Sequence, residues 1–286
     1  MLQLLLSFAS PLFILVRITA PKEEWPIISN AIFVPFGNKM MEIPADEYLI
    51  YAREKGAKNL GAIQESDEAC SSQAEFFPYV DYVVRRYHCP KTFKRFPNTL
   101  WIPNGWADGV GPKDPTTLVT ASHREFQCFF KGRETPERAE FVTTMKSINA
   151  DCILDFSEGF GKGDIRPAYS AALGNSKFAP CPAGNSPETI RFYDVLENGA
   201  IPVLVESKFT RFLVAHEGLE SSADLPFIVL QDWTEYNSAV APYLADESKL
   251  NELQRRSITF WVDMKQKTHD GARTLVDAAF AKNGGV

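Results

Sequence analysis

The sequence has few of the motifs that bind metal ions in enzymes. No Asp-x-Asp occurs among its 286 residues, and the nearest string is Glu65-Ser66-Asp67. The four His residues are scattered at positions 88, 123, 216 and 269, and no Cys-x-x-Cys is present. A carboxylate-bound cation or a zinc ion therefore has no evident set of ligands. We expect a protein that needs no metal ion and no other cofactor.

Cysteine and positive charge are also scarce. The five Cys residues are an odd number and lie far apart, which is not typical of a disulfide framework, so we expect mostly buried, reduced thiols. With 30 Lys and Arg against 36 Asp and Glu, the net charge is −6, and nucleic acid is not an expected partner. The one basic run, between Arg85 and Arg95, is more typical of a solvated face than of an anion site.

Apolar runs are short except at the N-terminus. Residues 1–16 are apolar, but Pro11 interrupts them, no basic residue precedes them, and a membrane span needs ~20 residues. We favour a buried element followed by a strand at residues 12–18; a targeting or anchoring segment is the alternative and leaves membrane association open. Because no Asn-x-Ser/Thr acceptor occurs, we expect a soluble cytoplasmic protein.

The sequence does contain a regular alternation of short apolar runs and helical patterns, which is typical of α/β proteins. Residues 103–115 interrupt it with three Gly and three Pro, which predicts a long loop or linker. We therefore predict two Rossmann-like domains, at residues 1–112 and 113–262, with a ligand cleft between them. Strands are predicted at residues 31–35, 59–64, 82–85, 99–102, 127–130, 152–156, 177–181, 201–205 and 227–230, and helices at 46–55, 135–149 and from 246 onward.

Residues 176–205 carry the clearest local pattern, a strand, a tight loop, a helix and a second strand. Gly184 lets the loop backbone approach a ligand, Ser186 is a candidate N-cap, and Asn198-Gly199 ends the helix. A helix N-terminus at the carboxyl end of a strand attracts phosphate through its free N–H groups and its dipole. The alternative is a capped helix that binds nothing, because one Gly is far from a G-x-G-x-x-G fingerprint.

The same segment resembles the signature of exostosin-type glycosyltransferases, glycosyltransferase family 47. In that family S-K-F…C-P-x-G precedes S-x-x-x-R-x-x-E-A-L-x-x-G-x-I-P-V. Upstream, residues 83–87 and 102–109 resemble the family's Arg-x-Tyr…Pro-x-Gly-Tyr/Trp-x-x-Gly pattern, and residues 129–133 resemble the strand that opens its donor domain. The residues of the main segment that fit are Ser176, Lys177, Phe178, Cys181, Pro182, Gly184, Ser186, Arg191, Leu196, Gly199, Ile201, Pro202 and Val203.

The resemblance spans residues 57–205 and is strongest to the branch of β-xylosyltransferases that extend a ribitol-phosphate glycan, including short soluble, viral-type relatives. It implies the α/β GT-B fold, two Rossmann-like domains facing each other across a cleft. The first domain would hold a glycan acceptor and the second a UDP-sugar, with residues 263–286 packing back on the first. The implied reaction is inverting, metal-independent transfer of xylose from UDP-xylose. Alternatives are another UDP-sugar (glucuronic acid, N-acetylglucosamine, galactose or arabinose) and an inactive glycan-binding protein; the missing fingerprint argues against a dehydrogenase.

The resemblance also implies where the donor binds. Asp194 stands where the family has Glu and would bind the ribose hydroxyls, and Arg191 shares its helix face. Arg133 follows a strand and a Gly and is a candidate ligand of the diphosphate. For each charged residue the alternative is an ordinary surface position. The other predicted donor-binding residues are Gly184, Asn185, Ser186 and Lys208.

An inverting transfer needs a carboxylate to deprotonate the acceptor hydroxyl. The acidic string at residues 65–68 follows a predicted strand at its carboxyl end, the usual place for functional residues in such sheets. We predict Asp67 as the general base and Glu68 as the second choice; an acidic loop or helix cap is the alternative. Arg85 is predicted to contact the donor diphosphate or an acidic acceptor. Trp106 is predicted to stack on an acceptor sugar, with a hydrophobic anchor for the linker as the alternative.

Overall fold

A computed structural model describes the chain at residues 12–13, 25, 27, 29, 31–33, 45–65, 67–68, 70, 76–133, 135–156 and 166–282. The chain forms two compact units. Unit 1 comprises residues 1–104 and 265–286, and unit 2 comprises residues 105–264. Most of the predicted N-terminal element and strand lies outside the described residues. Within the described ranges, no helix has both the length and the apolar character that crossing a membrane requires.

Unit 1 is built on a parallel sheet whose described strands lie side by side in chain order. The strands are β1 (Leu12–Phe13), β2 (Ala31–Phe33), β3 (Leu60–Gln64), β4 (Tyr82–Arg85) and β5 (Thr99–Trp101). Helix α1 (Ala45–Glu54) precedes β3, and α2 (Pro90–Arg95) precedes β5. The register places Gln64 beside Arg85, and Arg85 beside Trp101. The strands predicted from residue 59 onward are therefore confirmed to within a residue or so at each end.

Unit 2 repeats this architecture with strands β6 (Phe126–Gly132), β7 (Ile153–Phe156), β8 (Ser176–Pro180), β9 (Ile201–Val205) and β10 (Ile228–Leu230). They are parallel, and their order in the sheet is β10-β9-β8-β6-β7. The helices are α3 (Pro136–Ser147), α4 (Arg166–Gly174), α5 (Ile190–Glu197), α6 (Lys208–Glu217), α7 (Tyr236–Leu244) and α8 (Glu247–Lys282). The last helix begins in unit 2 and ends in unit 1.

Two apolar cores surround the unit 1 sheet, because successive side chains of a strand point to opposite faces. Val83 of β4 belongs to a core that includes Tyr48 of α1. Its neighbours Tyr82 and Val84 belong to the other core, which includes Ala272 of α8. The final part of α8 thus covers one face of this sheet.

The segment after residue 104 belongs to unit 2 because its backbone bonds to helices of that unit. The backbone N of Ala107 donates to Asp194 at 2.7 Å, and that of Lys113 donates to Glu197 at 2.6 Å. The carbonyl oxygen of Val110 accepts a bond from Ser170 Oγ at 3.2 Å. The unit bounds, 104 and 264, consequently lie eight residues before and two residues after the domain bounds of 112 and 262 predicted above.

Four of the five cysteines form disulfides, so the prediction of mostly reduced thiols was wrong. Cys70 pairs with Cys89, and Cys128 pairs with Cys152, with Cα–Cα distances of 5.7 and 4.4 Å. Cys181 alone among the described cysteines is free, and it is buried. The partners are 19 and 24 residues apart in sequence, and the sheets bring them together. Sequence spacing without the fold could not reveal these pairs, and such bridges form in oxidising environments.

Candidate functional site

Residues 176–205 form the predicted strand, loop, helix and strand, but the helix begins later than predicted. Helix α5 starts at Ile190 with Thr189 as its N-cap, so the prediction of Ser186 as N-cap was wrong. Ser186 Oγ instead accepts a bond from the backbone N of Glu188 at 3.2 Å. A Ser side chain that bonds two residues ahead stabilises a turn in competition with a helix, which lengthens the loop. The predicted helix end is confirmed, with Gly199 at φ +66°.

Arg138 of α3 joins the two loops that carry predicted donor-binding residues. Its Nη1 donates to the carbonyl oxygen of Arg133 at 3.0 Å, and its Nε donates to that of Ala183 at 3.3 Å. A Cβ on Gly184 would lie 3.2 Å from Arg138 Nη2, so the loop passes close to this guanidinium. Arg138 was not among the predicted site residues, because one Arg in the first turn of a helix carries no local sequence signal of such a role.

Three predicted donor-binding side chains are exposed at one edge of the unit 2 sheet. Arg133 follows β6, Asn185 follows β8, and Lys208 follows β9, and these strands are neighbours. Their positions at the carboxyl ends of parallel strands place them where ligands bind in open α/β sheets. Lys208 is the first residue of α6, whose N-cap Ser207 accepts a bond from the backbone N of Thr210 at 3.2 Å. Two cationic side chains therefore lie at this edge.

Arg191 is buried beneath the end of β6 instead of reaching outward. Its guanidinium carbon lies 4.4 Å from the centre of the Phe130 ring, and its Nη2 donates to the carbonyl oxygen of Lys131. A Cβ on Gly132 would lie 2.3 Å from Arg191 Nη2, so only Gly leaves room for this arrangement. Arg191 Nε is buried and has no hydrogen-bond partner among the described atoms. The charge of Arg191 is therefore buried at the carboxyl edge of the unit 2 sheet, whereas Arg133 and Lys208 are exposed there.

Asp194 is also buried, and its carboxylate holds neighbouring segments. Oδ1 accepts from the backbone N of Ala107 at 2.7 Å, and Oδ2 accepts from the Tyr169 hydroxyl at 3.3 Å. Burial, and secondarily the charge of Asp194, raises the pKa of Tyr169 well above its ordinary value, so this hydroxyl keeps its proton. Burial also raises the pKa of the Cys181 thiol to about 12. To bind ribose hydroxyls, Asp194 would use the remaining acceptor positions of its two oxygens or give up one of these bonds.

Trp106 belongs to unit 2 and packs edge-to-face on Trp261 of α8, with ring centres 6.3 Å apart and an interplanar angle of 87°. It is half-buried, and a Cβ on Gly111 would lie 2.9 Å from its ring. These contacts are those of a hydrophobic anchor for the segment after residue 104.

Arg85 and Asp67 form a buried ion pair at the carboxyl edge of the unit 1 sheet. Arg85 Nη2 lies 3.1 Å from Asp67 Oδ2. The Arg85 side chain is 0% exposed and that of Asp67 is 6% exposed, so water screens their attraction little. Arg85 Nε also donates to the carbonyl oxygens of Arg86 and Tyr87, each at 3.2 Å, and Nη2 lies 2.9 Å from the sulfur of Cys89. Arg85 is thus held on several sides.

The loops around this pair are strained and cross-linked. Asp67 has φ +118°, Cys70 has φ +52° and Tyr87 has φ +60°, all in the region that favours Gly. The disulfide of Cys70 ties the loop after β3 to the loop after β4. Glu68 is exposed, and its Oε1 accepts from the Tyr87 hydroxyl at 2.9 Å. The two predicted bases thus differ, since Asp67 is buried and ion-paired whereas Glu68 faces solvent.

Two further polar residues at this edge were not among the predicted site residues. Gln64 ends β3, and Asn104 lies three residues beyond β5, and both are buried. The only sequence signal was a polar residue at the end of an apolar strand, which is common. Across the described part of the chain, no group of three or more His, Cys, Asp or Glu side chains could hold a metal ion.

Each unit is a parallel sheet with helices between its strands and polar side chains at its carboxyl edge. Two such Rossmann-like units define a GT-B type fold. The fold matches a crystal structure of a GtfA/B complex with a TM-score of 0.51 at 12% identity, over 88% of this chain and 57% of that one. Thus this chain spans less than two thirds of that structure's chain. A crystal structure of TarM matches with a TM-score of 0.49 at 8% identity, over 86% of this chain and 55% of that one. Sucrose-phosphate synthase from Thermosynechococcus elongatus matches with a TM-score of 0.45 at 10% identity, over 86% of this chain and 82% of that one.

The family comparison identifies the chain more narrowly. The family model described as RXYLT1 C-terminal domain matches residues 111–278, which is more than half of the chain and includes the whole segment 176–205. The chain therefore belongs to the RXYLT1 C-terminal domain family, in agreement with the branch that the sequence resembles. No curated protein matches the sequence.

Proposed function

We propose that this chain is an inverting glycosyltransferase that transfers xylose from UDP-xylose to a hydroxyl group of a glycan acceptor. The observation that carries the proposal is the family match over residues 111–278, which contains the donor segment. The GT-B type fold supports the same reaction class, because it supplies two sheets whose carboxyl edges are available for ligands.

Unit 2 is the donor-binding unit in this proposal. The diphosphate carries negative charge, and Arg133 and Lys208 place positive side chains at the edge where β6 and β9 end. Arg138 keeps the loops of Arg133 and Gly184 in place through its two backbone bonds. Guanidinium and ammonium groups can neutralise a diphosphate without a metal ion, which is the reason for proposing metal-independent transfer.

The chemical step requires a base. The acceptor oxygen attacks the anomeric carbon, the bond from that carbon to the UDP oxygen breaks, and the acceptor proton passes to a carboxylate. We assign this role to Asp67 of unit 1, with Glu68 as the second candidate. The Arg85 guanidinium lies 3.1 Å from Asp67 and gives this carboxylate a cationic partner at the carboxyl edge of the unit 1 sheet. The exposure of Glu68 supports it as the alternative, because an acceptor must reach the base.

A second candidate function is a glycan-binding protein of the same fold without turnover. It is favoured by Asp194, whose two oxygens already bond to Ala107 and Tyr169. Other UDP-sugars also stay candidates for the donor, since few side chains distinguish them.

The test is release of UDP by the purified protein with EDTA present, against UDP-xylose, UDP-glucuronic acid, UDP-N-acetylglucosamine, UDP-galactose and UDP-arabinose. Selective turnover of UDP-xylose is the expected result. Turnover of another donor would replace the sugar and keep the reaction class. UDP binding by calorimetry without turnover of any donor, even with glycan acceptors added, would favour the binding protein. Failure to bind UDP at all would refute the donor site.

A further inference from the structure

The carboxyl edge of the unit 1 sheet contains buried polar atoms that nothing in the described structure satisfies. Gln64 Oε1, Arg85 Nη1, and both side-chain atoms Oδ1 and Nδ2 of Asn104 have no hydrogen-bond partner there. The three residues are 9%, 0% and 4% exposed. A buried polar atom that stays unpaired destabilises the fold, and native proteins rarely leave several such atoms together. A ligand that bonds to them would account for the group.

Two of these residues are direct neighbours in the sheet. Gln64 is the register partner of Arg85 on the adjacent parallel strand, so their side chains leave the same face of the sheet. One presents an acceptor, Oε1, and the other a donor, Nη1. Asn104 follows the next strand at the same edge and presents both a donor and an acceptor.

The charges at this edge determine the class of ligand. Arg85 is the cation of the group, and Asp67 already neutralises it at 3.1 Å, whereas Gln64 and Asn104 are neutral. An added phosphate or carboxylate would therefore leave a buried, uncompensated negative charge, which is costly. A hydroxyl group fits better, because it donates to Gln64 Oε1 and accepts from Arg85 Nη1 at the same time.

We propose that Gln64, Arg85 and Asn104 bind the hydroxyl groups of a neutral sugar unit of the acceptor. The assignment of this sugar to the acceptor rests on the proposed function, whereas the binding of a neutral sugar does not. It also replaces the earlier prediction that Arg85 contacts a diphosphate or an acidic acceptor. Besides its proposed role as the base, Asp67 compensates the charge of Arg85 in this site and orients the guanidinium through the bond to Nη2.

The competing explanation is one or more buried waters that bond to the same atoms, which would make the cluster purely structural. The two explanations differ in what a substitution changes. A sugar site controls the affinity for the sugar, whereas structural water controls the stability of unit 1.

The experiment uses the full chain and the variants Gln64→Met and Asn104→Leu, which remove polar atoms at similar side-chain volume. Tyr82→Phe is the matched control, because its hydroxyl is also buried and unpartnered among described residues but lies at the opposite end of β4. Saturation-transfer NMR measures binding of the neutral methyl glycosides of xylose, glucose, galactose and N-acetylglucosamine, with inorganic phosphate as the anionic probe. Calorimetry with UDP and thermal unfolding accompany each variant.

The expected result is binding of at least one glycoside that weakens roughly 3- to 10-fold in Gln64→Met and in Asn104→Leu, the effect of one lost hydrogen bond. UDP affinity stays at the wild-type value, the unfolding midpoint does not fall, because the replaced atoms have no partner in the free protein, and Tyr82→Phe binds the sugar normally. Wild-type protein that binds no glycoside, or variants that bind it unchanged, would overturn the proposal, as would binding of phosphate in its place. Lower stability with parallel losses for sugar and UDP would identify structural water instead. Because these readouts need no turnover, a Gln64-dependent sugar signal would survive failure of the transferase assay.

Discussion

Substitution of Asp67 offers a direct test of the proposed base, provided that its structural role is separated from its chemical one. Asp67→Asn keeps an oxygen that can accept from Arg85 but removes the negative charge. The guanidinium, 0% exposed, then stays buried without a counter-charge. Breaking a buried ion pair in this way costs about 3–5 kcal/mol, so unit 1 should be destabilised by roughly that amount. Loss of activity in this variant alone would therefore not establish catalysis.

The double variant Asp67→Asn/Arg85→Gln separates the two roles. It removes both charges, and the introduced amide can still donate to the carbonyl oxygens that Arg85 contacts. Since replacing both members of a buried pair by neutral groups is much less costly than removing one, about half or more of the lost stability should return. Turnover at saturating acceptor should not return if Asp67 is the base, because no carboxylate is restored, whereas loss of the Arg85 sugar contact alone would raise the KM for the acceptor and leave kcat unchanged.

The assays are denaturant unfolding followed by a probe in unit 1, and release of UDP from UDP-xylose, the proposed donor. UDP binding by calorimetry is the control, and it should stay unchanged in all three proteins. A double variant that recovers both stability and turnover would show that Asp67 is a structural partner of Arg85. In that case Glu68→Gln, which should otherwise retain most activity, becomes the decisive variant.

Three further predictions concern the donor edge and the cysteines. Arg133→Ala should weaken UDP binding about 10- to 100-fold, since a charge-assisted hydrogen bond contributes about 1.5–3 kcal/mol. The matched control Arg255→Ala, on the exposed face of α8, should bind UDP normally. Equal losses of UDP affinity in both variants would reject a specific role for Arg133. Denatured protein should expose one reactive thiol, Cys181, without reductant and five thiols after reduction; five thiols without reductant would contradict the disulfides. Cys70→Ser removes one disulfide and should lower the free energy of unfolding of unit 1 by about 2–4 kcal/mol. Because burial raises the pKa of Cys181 from 9.0 to about 12, its protonated form stabilises the fold below pH 9, and this contribution is lost as the pH rises toward 12. Cys181→Ala should therefore lose less stability between pH 9 and 12 than wild type, as denaturant titrations would show, and an identical pH dependence would contradict the shift.

Local patterns were informative wherever neighbouring residues decide the structure. The end of helix α5 at Glu197 was predicted from Gly199, which adopts the left-handed backbone conformation that terminates helices. The strand Ile201–Val205 was predicted from its run of branched apolar residues, and both predictions are confirmed. Ser186 shows the limit of such reasoning, because the same side chain can cap a helix or stabilise a turn. Here it bonds to Glu188 N and delays the helix to Ile190.

Contacts between distant segments were the part that sequence could not supply. Cys128 and Cys152 lie 24 residues apart and meet because β6 and β7 pair in register, which no spacing rule indicates. Likewise, Arg138 links the loops after β6 and β8 only because those strands are adjacent.

The sequence by itself determined the α/β alternation, and the strand, loop, helix and strand of residues 176–205 with their family resemblance, because these depend on periodicity and on residues close together along the chain. The tertiary structure decided which charged groups remain available to a ligand. It buried Arg191 and Asp194 in bonds to other segments, paired Arg85 with Asp67, and left Gln64 Oε1 without a hydrogen-bond partner among the described residues. The physical reason is that burial and hydrogen bonding depend on the strand order and register, and these join residues that the sequence keeps apart.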